Sequence, residues 1–105
     1  MSHPQWTQTQ AQQVELNGAL DRESVPALWQ FAQRWQPSAE QVDVSLQSIK
    51  RIDSAGMVML IHLIEHAKKR NCHIMLSFVP AQLATLLKLS NVDVMLADHI
   101  KNTQG

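Results

Sequence analysis

An α/β domain built on a small, largely parallel sheet is what this sequence predicts, and three observations carry that reading. Short apolar or alternating stretches take turns with segments of helical spacing, the order expected when strands and helices succeed one another. The 105 residues suit one domain, whose core can cover about two thirds of the surface the unfolded chain would expose. The longest unbroken apolar run, residues 57–61, falls far short of the roughly 20 residues a membrane-spanning helix needs. Right-handed crossovers then restrict how the sheet can be wound.

The elements follow in order. The polar, glutamine-rich stretch 1–13 lacks the charged-then-apolar layout of a secretory signal, and a first strand is expected near residues 6–10. Residues 13–18 alternate apolar and polar as a half-buried strand does, with Gly18 as its break. Residues 21–24 supply helix-start chemistry, and Pro26 suits a first turn because its missing N–H would be unpaired there anyway. The helix is expected over 25–35, with Val25, Leu28, Ala32 and Trp35 as its buried stripe, Trp29 and Phe31 at opposite edges, and Pro37 ending it.

Residues 42–46 form a second convincing strand, and 49–52 continue it toward a turn at Asp53-Ser54-Ala55-Gly56. The helix opening there runs to about residue 70 and places Met57, Leu60, Ile61, Ile64 and Ala67 on one face. Val58, Met59, His62, Glu65 and His66 lie away from it. Val58 and Met59 are apolar on that polar side, which fits either contact with a neighbouring helix or a partner's footprint. A strand over 73–79, a helix over 80–89 with Leu83, Leu86 and Leu87 at helical spacing, a turn at Asn91 and Asp93, a last short element over 92–96 and a tail fraying from Lys101 complete the chain. The whole is read as a single domain over residues 1–105.

Nine basic residues balance nine acidic ones, so no whole-protein field draws the chain to nucleic acid or anionic lipid. Lys68-Lys69-Arg70 closes a helix, where cations favour the negative end of its dipole. Cys72 is alone, which removes any intrachain disulfide and fits a reducing cytoplasm. His62-Leu63-Ile64-Glu65-His66 matches the inverted zinc-protease pattern H-x-x-E-H, but no third ligand with a supporting motif accompanies it, and a solvated helix face is the favoured reading. No G-x-S-x-G elbow or glycine-rich phosphate loop occurs in a chain with only three glycines. Cys72 beside His73 permits thiolate chemistry in principle, but a packed or merely exposed thiol is the favoured reading. A non-enzyme without metal or cofactor is expected.

The corner at Asp53 is different. Asp or Ser at a helix start caps free N–H groups, yet one such residue would suffice, and Gly56 weakens the first turn by up to ~1 kcal/mol relative to Ala. Small residues there make sense where another backbone must come close. They also leave N–H donors uncovered for an anion or another protein's surface. A phosphate on the Ser54 hydroxyl would add nearly two negative charges to such a contact.

Ile49-x-x-Ile52-Asp53-Ser54-Ala55-Gly56-Met57, after a strand and opening a helix, resembles the signature of STAS domains, named for sulfate transporters and anti-sigma-factor antagonists. Leu16-Asn17-Gly18-Ala19-Leu20-Asp21 resembles the family's second strand and its exit, so the resemblance covers residues 14–89, with a polar N-terminal arm before them. It implies a small, mostly parallel but mixed sheet with helices packed against it, and partner binding in place of catalysis. Within the family, residues 60–69 together with Leu28-Trp29 look most like the cytoplasmic STAS subunit of a phospholipid-moving ABC transporter. That likeness implies docking on the transporter's ATPase, within a complex that includes a membrane permease, so that the chain is peripheral to the inner membrane without entering it. It implies an interface of Asp53, Ser54, Ala55, Gly56, Met57 and Val58 joined by Trp29. The alternative function is an anti-sigma-factor antagonist switched by phosphorylation of Ser54.

Overall fold

The computed structural model describes residues 3–101, in which four strands stand in chain order across one sheet: β1 (Trp6–Gln10), β2 (Gln13–Leu20), β3 (Gln41–Ile52) and β4 (His73–Ser77). β1 and β2 pair antiparallel, whereas β2 with β3 and β3 with β4 pair parallel. Each parallel pair needs a crossover to return the chain to the same end of the sheet. Those crossovers contain α1 (Val25–Arg34) and α2 (Ser54–Lys68), and α3 (Ala81–Leu89) with a 3₁₀ turn at Ala97–His99 follows β4. The expected α/β architecture, a mixed and mostly parallel sheet with helices against it, is the one observed.

Alternation along the strands decides where the helices lie. Val14, Leu16, Val42, Val44, Ile74 and Leu76 are buried to within 1%, while Glu15, Asp43 and Met75, one position along, are half-buried. That period of two marks a sheet covered on one face. Leu28 and Ala32 of α1, Leu60, Leu63 and Ala67 of α2, and Leu83 and Leu87 of α3 complete the core. α2 packs on both α1 and α3 as well as on the sheet, so its buried sector is wider than a single stripe. Met59 and Leu63, outside the face the helical wheel assigned to the core, are therefore buried, and Ile61, expected inside, is half-buried. Of the ambiguous pair, Met59 belongs to the core and Val58 stays 44% exposed.

Other departures have local causes. Gly18 does not break β2; it takes φ +77° at a register shift, a conformation glycine adopts without strain, and the strand continues to Leu20. β4 stops at Ser77, short of residue 79, because Phe78 turns into the left-handed region at φ +53°. Residues 92–96 form turns in place of a further element, with Leu96 buried. Lys101 does not fray: its N–H donates to Leu76 O at 2.8 Å, and its ammonium lies 3.4 Å from Asp43 Oδ2. The rest of the expected tail, residues 102–105, and residues 1–2 of the arm lie outside the described residues. No helix of the described residues is long and apolar enough to cross a membrane.

Candidate functional site

The β3–α2 corner is built by Asp53. Its backbone is extended (φ −115°, ψ −170°), the usual geometry of a residue that flanks a helix start. Oδ1 accepts the N–H of Ala55 at 2.9 Å and of Gly56 at 3.2 Å, and its main-chain oxygen accepts from Met57 N–H at 3.0 Å. Asp53 N–H donates to Leu20 O at 3.1 Å, tying the corner to the end of β2. First-turn donors expected to stand open are thus taken by the chain's own carboxylate, which leaves the corner without the character of an anion cradle.

Gly56 explains the missing bulk. It is buried, and a Cβ there would stand 2.4 Å from Leu20 O and 2.7 Å from Ile52 Cγ1. The backbone that must come close is therefore the chain's own, at the end of β2. Met57, with 6% exposure, also points inward. Gly56 and Met57 support the corner from beneath and present almost no side chain to a partner.

What remains outward is Ser54, exposed at the first position of α2, with Ala55 half-buried beside it and Val58 one turn on. α1 supplies Val25 and Trp29. The Trp29 ring lies against His62 (centroids 5.8 Å) and edge-on to His66 (6.1 Å), which braces it between the two helices. Val25, Trp29, Ser54, Ala55, Val58 and His62 line a shallow groove of about 390 Å³, with Met59 at its floor and no acidic or strongly basic side chain in its lining. A second depression of about 470 Å³ lies on the α3 side, where Gln82, Thr85 and Leu86 face Ile52 and Asp53. Gln82 Oε1 accepts the Ile52 N–H at 3.0 Å and so pins α3 to the strand end. Ser54 lines both hollows and forms the ridge between them.

The start of α1 is positioned by a separate device. Asp21 Oδ1 accepts from Glu23 N–H and Ser24 N–H, both at 3.0 Å, and Ser24 Oγ donates to Ala19 O at 2.7 Å. Arg51, near the end of β3, pairs with Asp21 Oδ2 at 2.5 Å. That guanidinium, with the Ser24 N–H next, holds the Asp21 carboxyl down at about 2. The turn so fixed sets Val25, and one turn later Trp29, beside Val58.

The other chemical candidates become packing. His66 Nε2 lies 2.9 Å from the Trp35 carbonyl, so Nε2 carries the proton and donates, and Nδ1 is left facing Arg70 Nη1 at 3.4 Å. Both nitrogens are engaged, His62 lies on Trp29, and among the described residues no three His, Cys, Asp or Glu side chains are grouped to hold a metal. Cys72 is buried, and burial pushes its thiol pKa up, away from thiolate chemistry.

The structure thus brings Trp29, Ser54, Ala55 and Val58 together at one surface. The α3 residues Gln82, Thr85 and Leu86, and His62 and Val25, were not foreseen there. Their helical spacing was visible, but which helix ends meet at the corner is set by the sheet.

Comparison with known proteins gives a consistent picture. The family model described as Mlab, STAS domain matches residues 5–97, beyond residues 14–89 at both ends. The intermembrane phospholipid transport system binding protein MlaB of Escherichia coli (strain K12) is 32% identical over 87 residues, spanning 83% of this chain and 87% of that protein. The protein of the same name from Shigella flexneri matches to the same extent. Among solved structures, the anti-sigma factor antagonist SpoIIAA in its unphosphorylated form superposes with a TM-score of 0.71 at 13% identity, covering 95% of this chain and 87% of that one. A sulfate transporter family protein from Wolinella succinogenes gives 0.66 at 19% identity, covering 85% and 74%. At such identities the two structures speak for the fold alone.

Proposed function

The chain belongs to the STAS domain family, and on that premise we propose that it is a non-catalytic accessory subunit of an intermembrane phospholipid transport system, docking on the system's ATPase through the Ser54 corner. The MlaB relatives, covered over most of their length, support the system. The single observation that carries the docking surface is the exposed Ser54 ridge beside an apolar, uncharged groove braced by Trp29. An aromatic anchor beside uncharged, largely apolar surface matches what the centre of a protein interface uses: a desolvated hot spot with few charges to strip of water.

In this reading the subunit makes and breaks no bond. It binds one arrangement of the ATPase better than another, and only that difference in affinity can change activity. Residence on the membrane-bound complex keeps it peripheral to the inner membrane, on the cytoplasmic side where the ATPase works. The test is co-purification of the tagged chain from its native host. Recovery of an ABC ATPase with its permease, lost when Ser54→Arg places a long cation in the close contact, is the expected result. Normal recovery with the variant would contradict the docking surface.

The anti-sigma-antagonist reading has one observation in its favour, the exposed Ser54 hydroxyl, which a kinase could reach. Intact-mass analysis of protein from cells grown under several conditions separates the two: stoichiometric phosphate on Ser54 supports the switch, and its absence together with the ATPase in the pull-down supports the transport subunit.

A further inference from the structure

Beyond Leu96 the chain returns to the sheet and lies along the outer edge of β4. Ile100 bridges Leu76 in parallel register, and the Lys101 N–H donates to Leu76 O at 2.8 Å. A reciprocal pair of histidines fastens this segment. His73, at the start of β4, reaches Asp98 O with Nε2 at 2.9 Å, and His99 reaches back to Ile74 O with Nδ1 at 2.8 Å. A carbonyl only accepts, so each of these ring nitrogens carries a proton and donates it.

The two rings also stack on one another, with centroids 4.4 Å apart and planes 23° from parallel. His99 is buried and His73 half-buried, so water screens the space between them poorly. A further proton goes to His73 Nδ1 or His99 Nε2 and makes that ring a cation. One cation suits the arrangement, because a charged ring donates more strongly to its carbonyl and stands beside a neutral neighbour. Two cations oppose each other across the stack.

The charges around the pair are fixed over the range in which imidazole titrates. Asp98 sits beside His99 in the 3₁₀ turn, exposed. From β3, Asp43 is held by Ser77 Oγ at 2.5 Å and by Lys101 Nζ at 3.4 Å, and Glu40, just before that strand, gives its main-chain oxygen to the His73 N–H at 2.8 Å. Past the end of α2, Arg70 turns to His66. Carboxylates, lysine and arginine ordinarily keep their charges between about pH 5 and pH 8, the interval in which imidazole gains its own.

We infer that His73 and His99 form a proton-operated latch: with at most one ring charged it holds residues 97–101 along β4, and with both charged it releases them. Release frees the carbonyls of Ile74 and Leu76 and turns a covered sheet edge into an open one. The released segment binds the second proton more readily than the latched one, so the latch weakens as pH falls. The device is separate from the Ser54 corner and does not depend on the transport reading.

Nuclear magnetic resonance of the ¹⁵N-labelled full chain between pH 7.5 and pH 5.0 tests it. Backbone order parameters of Ile100 and Lys101 should fall from about 0.85 to below about 0.6, while those of β2 and β3 stay high. His73→Gln keeps a side-chain N–H for Asp98 O and cannot charge, and His99→Asn does the same toward Ile74 O. Each variant that latches at pH 7.5 should stay rigid at residues 100 and 101 down to pH 5.0. If neither latches, the ring signals of the unsubstituted chain decide, since uptake of the second proton by the pair must coincide with the loss of order at Lys101. A segment still rigid at pH 5.0, release that a latched His73→Gln or His99→Asn leaves unchanged, or loss of order that precedes the second proton would each overturn the inference.

Discussion

Gly56 stands directly over the carbonyl of Leu20, so that a single added methyl group would lie 2.4 Å from that oxygen. The contact joins the N-terminus of α2 to the end of β2, two elements more than 30 residues apart in the chain. Gly56→Ala is accordingly expected to destabilise the fold by about 1–3 kcal/mol, the usual cost of overpacking a well-filled site. Urea unfolding followed by tryptophan fluorescence measures it. The gain in helix propensity, up to ~1 kcal/mol from Gly to Ala, opposes the loss and is the smaller term.

The side-chain part of the Asp53 cap is made by one oxygen, Oδ1. Asp53→Ala should cost about 1 kcal/mol, because the Ala55 and Gly56 N–H groups lose their acceptor. Asp53→Asn keeps a side-chain oxygen and should recover most of that, which a pair of denaturation curves at neutral pH resolves.

The Asp21–Arg51 pair predicts the shape of acid unfolding. Arg51, with the Ser24 N–H next, holds the Asp21 carboxyl at about 2 in the folded protein, below its ordinary 3.8. In that window the unfolded chain binds the proton first, so stability rises with pH through it. The contribution is complete above about pH 4 and disappears as pH falls toward 2. Asp21→Asn should flatten this part of the stability curve, and unfolding midpoints measured between pH 2 and pH 6 show it.

For the docking surface, exposed Val58 and half-buried Trp29, both lining the groove, test binding apart from folding. Val58→Glu introduces a charge at a 44% exposed position and should change stability by no more than about 0.5 kcal/mol. It should weaken ATPase recovery strongly, because the contact would bury an unpaired carboxylate. Trp29→Ala should do the same through loss of the aromatic anchor, with some loss of stability because Trp29 packs on His62 and His66. Unimpaired recovery with both variants would place the interface elsewhere.

How much of this was legible in the sequence differs element by element. The β3–α2 corner was readable because its signals are local: a strand period, an Asp cap and a run of small residues within one turn. The reason for Gly56 was not, because the atom it makes room for belongs to Leu20. Met59 was misplaced on the wheel, and Leu63 left unassigned, for the same kind of reason, since a wheel assumes one covering layer and α2 meets the sheet and two helices. His62 and His66 matched a metal pattern but were read as a solvated helix face; the Trp35 carbonyl and the Trp29 ring are what they face.

Backbone preference and hydrophobic period act between residues a few positions apart, and the chain alone was enough to determine its α/β class, its order of elements and the serine-bearing helix start. Which surfaces those elements leave uncovered depends on contacts between residues tens of positions apart, and no local pattern encodes them. Packing therefore decided that Gly56 and Met57 turn inward and Val58 outward. It decided too that β4 is sheltered by the C-terminal segment.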